Sequence, residues 1–272
     1  MAFRDGVEEY LGIQIGEEDE VSLPIEDHNY DPEVEVEETF GVGQLARYRG
    51  RPAAGKITGQ INFLVSAPML DILGLALPSE GGTDLTPFEV DDGELRLTGC
   101  LASSLKLSLE EYKDLRATLA YTAKEKAEST WTPVAPGSEA FDAFFCETEG
   151  FTGLPDLVAT KMDLTINNAL TEHHGMKARD TRLPSHLAAN DHKVEGSVDY
   201  LEDPGYDLAG AVVAIPTVTV VMPDAAGNKL TITLTNVLPK KSAKAAKRGE
   251  TTQRPFEFTA DDIAFGLTEV GD

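Results

Sequence analysis

Along most of this chain apolar and polar residues take turns. A two-residue period of this kind predicts β-strands that lay one face on a core. Val34 and Val36 alternate with Glu33, Glu35 and Glu37, and Ile57, Gly59, Ile61 and Phe63 alternate with Lys56, Thr58, Gln60 and Asn62. Phe88 and Val90 precede an Asp91-Asp92-Gly93 turn and Leu95 and Leu97 follow it, which predicts a hairpin. Leu115, Leu119 and Tyr121 mark a further strand, as do Met162, Leu164 and Ile166, then Val194, Val198 and Tyr200. Val218, Val220 and Met222 are expected to pair, through a Pro-Asp-Ala-Ala-Gly-Asn turn, with Leu230, Ile232 and Leu234. Phe256 and Phe258 close the set.

Helical signals are few. The segment 68–75 has proline at a helix-starting position and apolar residues three apart, which predicts a short helix. A weaker candidate runs from Tyr206 to Val213, where glycine and β-branched residues oppose helix formation.

The strands repeat. Ile57-x-Gly59-x-Ile61-x-Phe63 returns as Val194-x-Gly196-x-Val198-x-Tyr200, 137 residues on. The same offset carries Leu97 onto Leu234 and Tyr121-Thr122-Ala123 onto Phe258-Thr259-Ala260. The Pro/Gly/Ser-rich stretch between Trp131 and Glu139 reads as a linker. The expectation is two mainly β units, residues 1–135 with an acidic N-terminal segment and residues 136–272.

Charge narrows the function. Among 272 residues, 47 acidic groups face 23 basic ones, a formal net charge of -24. The first forty residues hold 14 acids and only one base, Arg4. Such a surface lacks the basic face that nucleic-acid recognition needs, and an anionic membrane would repel it. Self-repulsion of this kind is screened in concentrated salt, so the charge is read as adaptation to a halophilic (haloarchaeal) host, with an acidic mesophilic protein as the other reading. The first ten residues lack the basic and apolar regions of a targeting peptide, so synthesis and folding in a cytoplasm are expected.

No catalytic, cofactor or metal constellation emerges from the pattern. His28, His173, His174, His186 and His192 lack helical zinc spacing, and Cys100 and Cys146 read as small buried hydrophobes. Gly41-Val42-Gly43-Gln44-Leu45-Ala46 approximates a dinucleotide loop but follows no apolar parallel strand. The run Glu17-Glu18-Asp19-Glu20 lacks calcium-loop spacing. One local excess stands out: Lys240, Lys241, Lys244, Lys247 and Arg248 gather five of the 23 basic residues into nine positions. It reads either as an electrostatic contact with an acidic partner, another copy of the chain included, or as a solvated loop.

Several segments in this order resemble the tail tube (major tail) proteins of tailed viruses: residues 7–12, the Gly-centred strand 56–63 with its following helix, the strand 162–170 ending on Asn167-Asn168-Ala169-Leu170, and the second Gly-centred strand 193–200. The resemblance implies two tandem β-sandwich or barrel domains, each with a flanking helix. It implies no enzyme and no cofactor, but a virion protein that forms rings and stacks them into a tube for DNA delivery. Its partners would be its own copies and other tail proteins, such as the tape measure, tail terminator and baseplate or tip. Viral DNA would be passing cargo, and no membrane would be bound. Two tube units per chain would let three chains close a pseudo-hexameric ring, with the basic cluster at a ring-to-ring contact or on the outside rather than in the bore. The other classes that fit the pattern are a β-sandwich binding module, for capsid decoration or host attachment, and a hydrolase with a site scattered over loops.

Overall fold

The computed structural model describes residues 9–16, 21–40, 47–79, 84–129, 131, 135–136, 141–146, 151–153, 158–173, 183–201, 214–242 and 253–270. The chain is mainly β. Its first half contributes β1 (Glu9–Ile15), β2 (Val21–Ile25), β3 (Asp27–Phe40) and β4 (Arg47–Leu64). A single 3-10 turn (Ala67–Met69) then runs into α1 (Leu70–Gly74). β5 (Phe88–Asp91), β6 (Leu95–Glu110), β7 (Arg116–Ala123) and β8 (Glu125–Glu128) follow. The second half holds β9 (Phe151–Thr152), β10 (Val158–His173), β11 (His186–Leu201), β12 (Ile215–Pro223), β13 (Lys229–Ser242), β14 (Gln253–Ala260) and β15 (Asp262–Thr268).

Alternation becomes burial as expected. Ile57, Ile61 and Phe63 of β4 face the core, as do Met162, Leu164 and Ile166 of β10 and Leu230, Ile232 and Leu234 of β13. The expected hairpins form, with Val90 opposite Leu97 and Val220 opposite Ile232. Aspartates cap both turns. Asp92 Oδ1 accepts from the amides of Glu94 (2.9 Å) and Leu95 (2.7 Å), while Asp224 Oδ1 accepts from that of Asn228 (2.8 Å). The expected helix is a short 3-10/α segment that starts on extended Ser66, carries Pro68 in its first turn and buries Met69, Ile72 and Leu73. The second helix candidate, 206–213, lies outside the described residues, as do 17–20 and 41–46.

The ladders of the two halves correspond pair by pair. β4·β7 sets Gly59 opposite Tyr121, and β11·β14 sets Gly196 opposite Phe258, each residue 137 positions on. β6·β7 slips by a bulge between Ala102 and Ser104, and β13·β14 slips between Pro239 and Lys241. β6·β8 pairs Leu97 with Lys126, and β13·β15 pairs Leu234 with Ile263. Both central glycines are needed for the same reason: the aromatic ring on the facing strand lies over the backbone, where a Cβ would overlap it.

The two halves share one continuous antiparallel sheet. β6 and β10 join them, with Leu105 opposite Ile166, Leu107 opposite Leu164 and Leu109 opposite Met162. All six side chains are buried, and one apolar cluster runs from Leu11 to Ile263. An inner run can be followed strand to strand as β3–β4–β7–β6–β10–β11–β14–β13. Chain segments on either side of residues 131–139 therefore meet through a backbone ladder.

Candidate assembly interface

β3 lies at one end of the inner run and pairs with β4 alone among the described strands. At the other end, β13 leaves the β12 and β15 ladders near Val237 and continues beside β14 to Ser242. A strand edge of this kind presents backbone N–H and C=O groups to whatever strand comes next.

β3 and β10 occupy equivalent places in the two halves, because Tyr30 stands opposite Gly59 as Leu164 stands opposite Gly196. Their surroundings differ. Leu164 is 1% exposed, with β6 alongside, whereas Tyr30 is 42% exposed. Asp27, Asp31 and Pro32 on the same strand are also exposed. Over its whole length β3 carries Asp27, Asp31, Glu33, Glu35, Glu37 and Glu38 and no lysine or arginine.

Of the basic cluster, Lys240 sits at the bulge that interrupts β13·β14. Its Nζ lies 2.5 Å from Glu195 Oε1 on β11, and Lys193 Nζ reaches the same oxygen at 2.9 Å. The two ammonium groups, Lys240 first, hold the Glu195 carboxyl below the usual carboxylate range. Lys240 therefore already has an acidic partner in its own chain. Lys241 stands opposite Glu257 in the β13·β14 ladder. Lys244, Lys247 and Arg248 lie outside the described residues.

A residue that composition did not single out ties the halves together. Asn168 is 4% exposed, and its Nδ2 donates to the carbonyls of Ala76 (3.0 Å), just beyond α1, and Ala102 (3.1 Å) on β6. With both donors used on the first half, Oδ1 accepts from His192 Nδ1 at 2.8 Å on β11. That bond leaves His192 Nε2 as the unprotonated ring nitrogen, buried and without a partner among the described residues. Burial lowers the His192 pKa, against the opposite pull of Asp262 and Asp191. The only sequence signal for this role was the Asn167-Asn168 pair.

Other reactive side chains serve packing. Cys100 and Cys146 are buried free thiols, and burial pushes the Cys100 thiol well up. Tyr121 is buried with its hydroxyl 2.8 Å from His28 Nε2. His173 and His186 end the β10·β11 ladder with stacked rings, and His174 lies outside the described residues. Among the described residues no three His, Cys, Asp or Glu side chains are grouped to hold a metal, and no helix is long and apolar enough to cross a membrane. An open groove of about 450 Å³ runs under α1, lined by Ile15, Leu70, Gly74, Thr86 and Phe265.

The phage tail tube protein family matches residues 12–260 of the chain. The chain belongs to that family, whose members are structural components of the virion tail. No curated protein matches it.

Proposed function

We propose that copies of this chain assemble into rings and that the rings stack into the tail tube, the conduit for viral DNA. Each chain would supply two tube units, residues 1–135 and 136–272, so that three chains make a pseudo-six-fold ring. The observation that carries this reading is the repeated ladder. Gly59–Tyr121 and Gly196–Phe258 face each other at one offset, as do the two bulged strands, and this correspondence supports reading each chain as two copies of one unit. Closed point groups are the usual outcome of such self-complementary association.

The basic residues Lys240, Lys241, Lys244, Lys247 and Arg248 are assigned to the contact between copies. An anionic chain of net charge -24 gives passing DNA no counterion-release grip, and concentrated salt in the host would screen its self-repulsion. Tape measure, terminator and baseplate or tip proteins would meet the ends of the stack.

Negative-stain microscopy of the purified protein, in dilute buffer and in about 2 M KCl, tests the reading. Rings or tubes with three-fold or pseudo-six-fold top views are expected in salt. Particles that stay monomeric under every condition would overturn it and favour a β-sandwich binding module for capsid decoration or host attachment.

A further inference from the structure

We propose that His173 and His186 form a two-histidine chelate for a late first-row divalent cation such as Zn²⁺, which ties the outer end of β10 to β11. The inference does not depend on the ring reading above.

Strand register makes the pair. β10 and β11 run antiparallel until His173 stands opposite His186, the last rung of their ladder. Facing residues of an antiparallel pair project to the same side of the sheet. Both histidines are exposed, and their rings lie 27° from parallel with centres 6.0 Å apart. A Zn–N bond of about 2.0–2.1 Å puts two imidazole centres on one ion about 5–6.5 Å apart, and the observed spacing falls in that range. Stacked planes do not aim two nitrogens at one point. A turn of each ring about its side-chain bonds supplies the aim, and exposure leaves room for it.

The backbone under the pair is held in place. The His173 carbonyl accepts from both the amide (2.8 Å) and the hydroxyl (2.8 Å) of Ser185. Next along β11, Leu187 is buried with Leu85 and Leu101, and Leu170 and Ala189 pack against them. Ligands carried on fixed strands lose less freedom on binding than ligands on a loose loop.

The donor set selects the metal. Imidazole nitrogens suit Zn²⁺, Ni²⁺ and Cu²⁺, whereas Mg²⁺ and Ca²⁺ take oxygen ligands. Among the described residues no third His, Cys, Asp or Glu joins the pair, so water would fill the other coordination positions. The net charge of -24 concentrates cations near the surface. At the positions 137 residues earlier stand Val36 and Arg49, so the repeat does not duplicate the pair.

Titration calorimetry of the full chain with ZnCl₂ at neutral pH tests the proposal, with Mg²⁺ in excess to occupy surface carboxylates. One ion per chain is expected. His173→Ala and His186→Ala should each weaken binding about tenfold or more, because one imidazole alone loses the chelate advantage. His174→Ala, on the adjacent residue, should bind as wild type does. Without metal all three variants should unfold at the wild-type temperature, since the substituted side chains of the pair are exposed. Cu²⁺ at one equivalent should show coupling to two imidazole nitrogens by electron paramagnetic resonance, and to at most one in either pair variant. Wild-type protein that binds no Zn²⁺, binding that survives both pair substitutions, or a loss in His174→Ala as large as in the pair variants would overturn it.

Discussion

Asn168 illustrates how one amide can hold two halves of a chain together. Both of its N–H groups end on first-half carbonyls and its oxygen on a second-half histidine, so no group is left over to tolerate a change. Replacing it with alanine would strand two buried carbonyls and the His192 donor. Each such loss costs about 1–3 kcal/mol. His192 adds a pH dependence whose sign follows from its lowered pKa. The unfolded histidine titrates near its ordinary value of about 6.5, and the folded one titrates lower. Between the two values the unfolded chain binds the extra proton. Stability is therefore full above about pH 6.5 and falls as the pH drops through that value toward the folded pKa. Urea midpoints measured across that range should decline for wild type, and His192→Asn, which keeps a donor toward Asn168, should flatten the decline. An unchanged slope would remove His192 as the cause.

At the scale of elements, the same strand type behaves differently according to its neighbour. Leu164 in β10 is covered because β6 lies beside it, and Tyr30 in β3 is exposed because the described chain places no strand there. β13 likewise brings Lys240 and Lys241 to the β13·β14 ladder at the other end of the run. Replacing Lys240, Lys241, Lys244, Lys247 and Arg248 together by serine should leave the monomer folded, since exposed ion pairs such as Lys240–Glu195 contribute little to stability. The same variant should form fewer and shorter tubes by negative stain. Tubes of normal length and ring stacking would detach the basic cluster from assembly.

For the whole molecule, the governing quantity is charge. A net charge of -24 on one shared core produces long-range repulsion that weak surface pairing does not offset. Raising the salt from about 0.1 M to 1 M shortens the Debye length from about 10 Å to 3 Å. The thermal midpoint of the monomer should rise across that range, and the rise should shrink in variants with several N-terminal acids replaced by their amides. A midpoint indifferent to salt would leave the acidity without a role in stability.

Much of this was legible in the residue order, for a physical reason. Strand periodicity is local, so β4, β10, β12, β13 and the aspartate-capped hairpins could be read from neighbouring residues alone. The 137-residue repeat was legible too, because Gly59 and Gly196 must each lie beneath an aromatic ring on a facing strand. Other strands escaped, among them β1, β2 and β15; β15, with Ile263, Phe265 and Leu267 alternating, follows β14 after a single residue. Tertiary structure alone decided how the halves meet. Pairing β6 with β10 depends on edges more than fifty residues apart, and no local pattern states which edge is left over. The sequence by itself determined a mainly β, repeated, strongly anionic chain with one basic segment. Only the fold put Lys240 and Lys241 of that segment at one end of a continuous run of strands and β3 at the other, because strand partners are chosen by register and burial across the whole molecule.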